Sequence, residues 1–275
     1  MLIDLHVHSA ASDGTEPPRQ VVASALAAGV DLFALTDHDT TAGWNQALAA
    51  AEGTATRVIP GAEISCASGS ISVHLLAYRF DPEDEPLRAA ITATRADRDG
   101  RARRIVAGLA EDYPLSWDDV AEQVSPGATV GRPHIADALV ARGIVADRDA
   151  AFAGLLARDG GYYHPYQAPD VLDTVRLVAA AGGVSVLAHG LAGRRGEVVS
   201  DDVIAAMAGA GMAGLEVDHR DHDESQRAHL RGLAAELGLL VTGGSDYHGT
   251  GKQNRLGEHA TSPAALEALL GTAAG

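Results

Sequence analysis

Asp4-Leu5-His6-Val7-His8 is the stretch on which the reading of this chain turns. Apolar and polar residues alternate with the period of a strand. That pattern sends Asp4, His6 and His8 to one face and Leu5 and Val7 to the other. Two imidazoles about 7 Å apart along a strand can converge on one cation at its end. A polar barrel lining with hydrogen-bonded histidines is the competing reading of these five residues taken alone.

Working outward, the same kind of cluster recurs after other short apolar runs. Thr36-Asp37-His38-Asp39 follows a run at 31–35, and Glu63 follows one at 57–60. His74 lies inside a run at 72–78, and His189 ends one at 184–188. Gly244-Ser245-Asp246-Tyr247-His248 follows the run at 239–242, and a further run occupies 213–217. Each run is bounded by Gly, Asp or other polar residues and predicts a strand. Helical patterns at 17–28, 41–51, 170–181, 201–209 and 224–237 lie between them, and Ser262-Pro263 opens a last helix. Strand–helix alternation predicts parallel strands joined by right-handed crossovers. Seven strands suit a closed or nearly closed α/β barrel, with an open doubly wound sheet as the alternative. Chemistry in parallel barrels gathers at the C-terminal ends of the strands, where these histidines and acids fall.

The rhythm breaks in the middle of the chain. Residues 87–112 read as a long Arg-studded helix, with further helices expected from Ser116, over 132–142 and over 147–158. The expected organisation is a barrel made of 1–82 and 170–275, with 83–169 as a helical insertion covering one mouth. Gly160-Gly161 and nearby prolines mark the return linker.

Composition bounds the function. The 275 residues suit one α/β domain with an insertion, and 46% hydrophobic residues can fill a sizeable core. The formal charge of −16 repels long polyanions, so duplex nucleic acid is not an expected partner. A small phosphorylated substrate stays compatible, because bound metals invert the local field. A single cysteine, Cys66, excludes an intrachain disulfide framework and a thiolate metal cage. No signal peptide or membrane span is read, and a cytoplasmic location is the expectation. The ligand types on offer, imidazole and carboxylate, suit Zn, Mn or Fe. Such ions lower the pKa of bound water and polarise phosphoryl oxygens.

Taken together, Asp4-x-His6-x-His8, Ser12-Asp13-Gly14, Thr36-Asp37-His38-Asp39, Gly61-x-Glu63, His74, Ala188-His189 and Gly244-Ser245-Asp246-x-His248 resemble the PHP (polymerase and histidinol phosphatase) superfamily. Gly131-Arg132-Pro133-His134 is similar to a motif of the stand-alone phosphoesterases within it. The resemblance implies a distorted (β/α)7 barrel holding two or three divalent ions. By matching position it implies His6, His8, Glu63 and Asp246 around one metal. Glu63 would bridge to a second, completed by His74 and His189, and Asp13, His38 and His248 would hold a third. Asp at position 13, where histidinol phosphatases use His, points to the nucleotide-acting branch.

Other residues are candidates for the substrate. Arg132 and His134 flank Pro133 at an expected helix start, where free N–H groups and a guanidinium both suit phosphate. His222, past the sixth strand, is a candidate general acid, while His219 reads as a solvated loop residue. Lys252 and Arg255, in a Gly-bearing loop after the last ligand cluster, could meet a second phosphate or a base. Trp44, Tyr162, Tyr163 and Tyr166 could stack on a base, although core packing is the more common fate of each. Asp4 and Asp37 are candidate acceptors for ligand imidazole N–H groups. Asp39 reads equally as a helix cap.

The expected reaction is hydrolysis of a phosphomonoester of a small nucleotide, first of all the 3′-phosphate of a nucleoside 3′,5′-bisphosphate. Asp246 would relay the proton of the nucleophile. Trimming of short RNAs from the 5′ end fits the same site. AMP and other small phosphomonoesters, histidinol phosphate included, are alternatives. Two rivals come from other classes, an amidohydrolase-type C–N hydrolase and a non-catalytic nucleotide-binding module. No obligate protein partner is inferred.

Overall fold

The computed structural model describes residues 1–165, 167–193 and 196–272. Seven strands form one sheet in sequence order. They are β1 (Ile3–Val7), β2 (Leu32–Leu35), β3 (Arg57–Ser68), β4 (Ile71–Tyr78), β5 (Val184–Leu187), β6 (Gly214–Asp218) and β7 (Leu240–Gly243). The sheet curls until β1 meets the end of β7. A parallel bridge joins Val7 to Tyr247, and His8 N–H donates to the Tyr247 carbonyl at 2.9 Å. The architecture is a nearly closed, distorted (β/α)7 barrel.

Helices α1 (Pro18–Ala27) and α2 (Trp44–Ala51) cover the outside of β1–β3. Val21, Val22, Ala25 and Ala47 pack there against Val7, Phe33, Leu35 and Ile64. Between β4 and β5 come α3 (Glu85–Asp112), α4 (Trp117–Ala121), α5 (Arg132–Ala141), α6 (Arg148–Ala153) and α7 (Val171–Ala180). The next helices, α8 (Asp201–Gly209) and α9 (Glu224–Leu237), pack on β5–β7, and α10 (Pro263–Thr272) follows. Inside the barrel, Ile3, Leu5, Leu32, Ala34, Leu76 and Val186 form an apolar floor joined by Leu266 and Leu269 of α10. The second half of α3 packs with α4, α5 and α6 around a cluster of its own, which includes Ile105, Leu109, Ile135 and Leu139. Asp84, Ser116 and Asp147 cap their helices by accepting backbone N–H groups, as the sequence signals of a helix start require.

The structure corrects the sequence reading of three strands. First, β4 is antiparallel to both β3 and β5, whereas an all-parallel sheet was expected. A two-residue turn, Gly69-Ser70, cannot house a crossover helix and so reverses the chain. Second, β3 does not stop at Pro60. Pro60 is the last residue paired with β2, and from Gly61 the same strand pairs with β4. A Cβ on Gly61 would come within 2.9 Å of the Ala77 carbonyl oxygen, so the exchange of partners needs glycine there. Third, β1 carries a bulge. Asp4 pairs with Phe33 and Val7 with Leu35, which leaves Leu5 and His6 opposite Ala34 alone. Asp4 therefore drops out of the row that His6 and His8 share.

Candidate metal centre

Four strand ends and one hairpin deliver the polar residues to a single mouth. His6 and His8 come from the end of β1, and Asp13 from the loop after it. His38 follows β2, His189 follows β5, and Asp246 and His248 follow β7. Glu63 and His74 come from the hairpin, where Ser65 pairs with His74, so Glu63 and His74 lie on the same face. Because β4 runs backwards, its N-terminal half points to the mouth that the other strands reach with their C-terminal ends. His189 and Asp246 turn sharply there, with φ of 32° and 53°. Non-glycine residues hold such angles only when their surroundings impose them.

His6 Nε2 lies 3.1 Å from His8 Nε2, 3.3 Å from Glu63 Oε2 and 3.4 Å from Asp246 Oδ1. His8 Nε2 lies 3.1 Å from Glu63 Oε2 and 3.4 Å from Asp246 Oδ1. Ligands about 2.0–2.1 Å from a tetrahedral ion sit about 3.3–3.4 Å from one another. Five of the six edges of the quartet, 3.1–3.4 Å long, thus match those of a coordination tetrahedron. The other oxygen of Glu63, Oε1, faces His74 Nδ1 at 2.7 Å and His189 Nε2 at 2.9 Å. One buried carboxylate therefore addresses two groups of imidazoles. Asp13 Oδ1 lies 3.2 Å from His248 Nε2 and 3.8 Å from His8 Nδ1, and Asp13 Oδ2 lies 3.7 Å from His38 Nε2. His38 also reaches Glu63 Oε2 through Nδ1 at 3.2 Å, so its ring stands between two groups.

The groups that orient these side chains are only partly those expected. Glu216 was missed by the sequence reading. It is 1% exposed in mid-β6, and its Oε1 accepts from His6 Nδ1 at 2.9 Å. The available signal was a lone acid inside the apolar run Gly214-Leu215-Glu216-Val217. Asp4, displaced by the bulge, binds backbone N–H groups of Ser245 and Gly257 and so fastens the β1–β7 seam. Asp37 accepts from Ser9 and Ser12 and fixes the turn that carries Asp13. Asp39 caps no helix. It accepts from Ser65 and from Arg98 of α3, whose Nη1 is 3.0 Å away, tying that helix to the rim.

Burial disfavours charge on every one of these groups, and their neighbours decide the outcome. Burial opposes a cation on His6, yet Glu216, Glu63 and Asp246 push its pKa well above the imidazole range. His8 is likewise pushed up to about 9 against its burial, by Asp246 and Glu63. Burial holds His38 well below the ordinary value, and burial with the Lys252 ammonium holds His248 at about 4. Glu63 stays far below the usual carboxylate range despite burial, because His38, His74 and His6 surround it.

The donor set suits divalent cations. It is imidazole and carboxylate throughout, and the Cys66 thiol instead donates to the Val73 carbonyl. His38 Nδ1 and His248 Nε2 are buried and face carboxylate oxygens of Glu63 and Asp13 at 3.2 Å without an aligned hydrogen bond among the described residues. Buried nitrogens left so carry a desolvation cost that a bound ion removes. Groups able to hold an ion are His6-His8-Glu63-Asp246, His8-Asp13-His38-His248, His38-Glu63-His74 and His6-Glu216-His219.

The candidate substrate residues are spread more widely. Lys252 joins the centre, its Nζ 2.8 Å from Asp246 Oδ2. Arg255 projects to solvent beside Glu258. Arg132 donates to the Leu156 carbonyl and stands over the rings of Phe152 and Tyr163. His134 accepts from Gly131 N–H at Nδ1 and donates from Nε2 to the Ser12 carbonyl at 3.0 Å. His222 donates from Nδ1 to the Val217 carbonyl and accepts from Leu191 N–H at Nε2. Both rings are thus engaged at both nitrogens. His219 is not a solvated residue but is fully buried, its ring 6.3 Å from that of His6. Trp44 donates to the Gly61 carbonyl and packs on Phe80, and Tyr162 binds Asp112. Tyr163 meets the guanidiniums of Arg101, Arg132 and Arg158, and Tyr166 lies outside the described residues.

The PHP domain family matches residues 4–123. A crystal structure of a "putative metal-dependent phosphoesterase" from Bifidobacterium adolescentis is 43% identical. It superposes with a TM-score of 0.96 over 98% of this chain and 96% of that one. The 3′,5′-nucleoside bisphosphate phosphatase of Chromobacterium violaceum is 33% identical over 92% of this chain and 89% of its own length. The 5′-3′ exoribonuclease of Haemophilus influenzae is 32% identical over 89% of each.

Proposed function

Because this chain belongs to the PHP family, whose phosphoesterases it matches over nearly its whole length, we propose that it is a metal-dependent phosphoesterase of small nucleotides. Its first substrate class is the nucleoside 3′,5′-bisphosphates, from which it removes the 3′-phosphate. Trimming of short oligoribonucleotides from the 5′ end belongs to the same site. The observation that carries this reading is the tetrahedral spacing of His6, His8, Glu63 and Asp246, with Glu63 turned to His74 and His189 at its other oxygen.

His6, His8, Glu63 and Asp246 hold one cation, and Glu63 with His74 and His189 holds a second. Asp13, His38 and His248 hold a third. The ions are Mn, Fe or Zn by donor chemistry. When bound, they make a water nucleophilic near neutral pH and draw charge from the phosphoryl oxygens. The residues of the chain do the rest. Asp246, held at Oδ2 by Lys252, takes up the proton of the attacking water and passes it to the departing alkoxide oxygen as the P–O bond breaks, giving alcohol and phosphate. Lys252 places its amino group beside the phosphate. Arg132, oriented by the Phe152 and Tyr163 rings, binds phosphate oxygens through its planar fork. His134 and His222, engaged at both nitrogens, shape the pocket by fixing α5 to the Ser12 loop and the His189 loop to β6. The helices of 83–169 act as a cap that excludes water and selects short substrates.

Phosphate release by metal-reconstituted protein, with chromatography of the products for the two phosphodiester substrates, tests the assignment. The panel comprises a 3′,5′-bisphosphate, AMP, histidinol phosphate, a cyclic ribose phosphodiester and a short 5′-phosphorylated RNA. The bisphosphate is expected to give the highest kcat/KM. Hydrolysis of cyclic amides without phosphate release would instead identify a C–N hydrolase. Tight nucleotide binding without turnover in Mn²⁺ would identify a binding module.

A further inference from the structure

Glu216 has no role in the chemistry assigned above, yet it touches residues of two metal positions. We propose that Glu216 is a positioning residue that sets both: one oxygen fixes the tautomer of His6, and the other fixes the turn that carries His189. The proposal rests on the reading of the cluster as a metal centre.

Glu216 pairs with Thr242 in mid-sheet and points into the barrel, 1% exposed. Its Oε1 lies 2.9 Å from His6 Nδ1. An ionised carboxylate only accepts, so the shared proton belongs to His6 Nδ1. In the neutral imidazole, the form that ligates a cation, the lone pair is then at Nε2, the atom that stands 3.1–3.4 Å from its three partners in the quartet. The second oxygen, Oε2, accepts the backbone N–H of His189 at 2.7 Å. His189 has φ 32°, in the left-handed region, and the turn brings its Nε2 to 2.9 Å from Glu63 Oε1. A single carboxylate thus orients a ligand of the quartet and a ligand of the neighbouring position.

The arrangement has little room to relax. A Cβ on Gly244 would lie 2.4 Å from His6 Cβ and 2.7 Å from Glu216 Oε1, so the chain just past β7 passes directly over the pair. His219 is the other neighbour, and His6, Glu216 and His219 are close enough to hold an ion themselves. In that alternative His6 would offer Nδ1 to the ion, and no proton would lie between it and Glu216.

Substitution separates the two arms. Glutamine keeps the shape but offers one acceptor and one donor. With its oxygen on His189 N–H, its NH₂ group faces His6 Nδ1 and drives the imidazole proton to Nε2. Alanine removes both arms. The experiment uses the full chain, Zn²⁺ as the metal, titration calorimetry with metal analysis, and a long-range ¹H–¹⁵N histidine spectrum of the metal-free protein at a pH where the His6 ring is neutral. His6→Ala and His189→Ala, each altering one position, identify which binding event is which.

The wild type is expected to show His6 protonated at Nδ1. Glu216→Gln is expected to show the Nε2–H form and to bind zinc about ten- to a hundredfold more weakly at the His6 position. Glu216→Ala is expected to weaken the His189 position as well. If the alanine variant fails to fold, the glutamine variant and the wild-type tautomer still decide. An Nε2–H tautomer in the wild type, or undiminished zinc affinity in Glu216→Gln, overturns the proposal. Failure of the wild type to bind zinc or manganese overturns the metal-centre reading itself, which is a separate result.

Discussion

Glu63 Oε1 lies 2.7 Å from His74 Nδ1, on the same face of the hairpin that reverses the sheet. The other oxygen of that carboxylate lies 3.1 Å from His8 Nε2. Glu63 therefore joins the two groups of imidazoles through its two carboxylate oxygens. Replacing it with alanine should lower kcat/KM by more than about a hundredfold, beyond what loss of an outer partner costs a metal site. Circular dichroism of the metal-free variant should remain that of a folded barrel. Full activity in Glu63→Ala would contradict its bridging role.

Metal removal should be visible in stability. A cation that binds only the folded chain at a free concentration 100 times its Kd adds about 2.7 kcal/mol per site. For a domain of this size that raises Tm by roughly 5–10 °C. Differential scanning fluorimetry with Mn²⁺ or Zn²⁺ against EDTA measures it. An unchanged Tm at saturating metal would show that the mouth holds no ion of consequence.

Arg132 offers a test of phosphate recognition apart from metal binding. Hydrogen bonds from a charged donor are worth about 1.5–3 kcal/mol, so Arg132→Ala should reduce kcat/KM roughly 10- to 150-fold. Metal content should not change. Lysine at this position should restore only part of the loss, because an ammonium cannot make the paired contact of a guanidinium. Steady-state kinetics beside metal analysis decides, and an equal loss of metal would move Arg132 from substrate binding to the scaffold.

His134 gives stability an acid-sensitive element. Burial holds its pKa below the ordinary 6.5, so the folded chain keeps the ring neutral and the unfolded chain does not. Between those two values the unfolded state binds more protons, and stability rises with pH. The contribution is complete above about 6.5 and is lost as pH falls through and below it. Protonation also ends acceptance of Gly131 N–H at Nδ1, the bond that starts α5. Urea unfolding from pH 7.5 to 5 should show a shallower decline in His134→Gln than in the wild type. Parallel declines would remove His134 as the cause.

The helices and most strand positions could be read in the sequence because their causes are local. Caps at Asp84, Ser116 and Asp147 lie within three residues of the N–H groups they accept, and strand alternation needs only neighbours. The residue types for metal binding were equally plain, since His and Asp cluster at the ends of apolar runs. The direction of β4 was not read, although the short turn before it held the signal. Nor was the β1 bulge, because it arises from register with β2 and removes Asp4 from the face that simple alternation gave it.

By itself the sequence determined the elements, their order and the supply of imidazole and carboxylate groups. Only the tertiary structure decided which atoms meet. Glu216 stands 210 residues from His6, and Glu63 stands 126 from His189. Such pairs depend on barrel closure, on strand register and on the sharp turns at His189 and Asp246. The same dependence gave His134 and His222 their carbonyl partners and buried His219. Side-chain chemistry is a property of each residue, whereas proximity is a property of the whole packed chain.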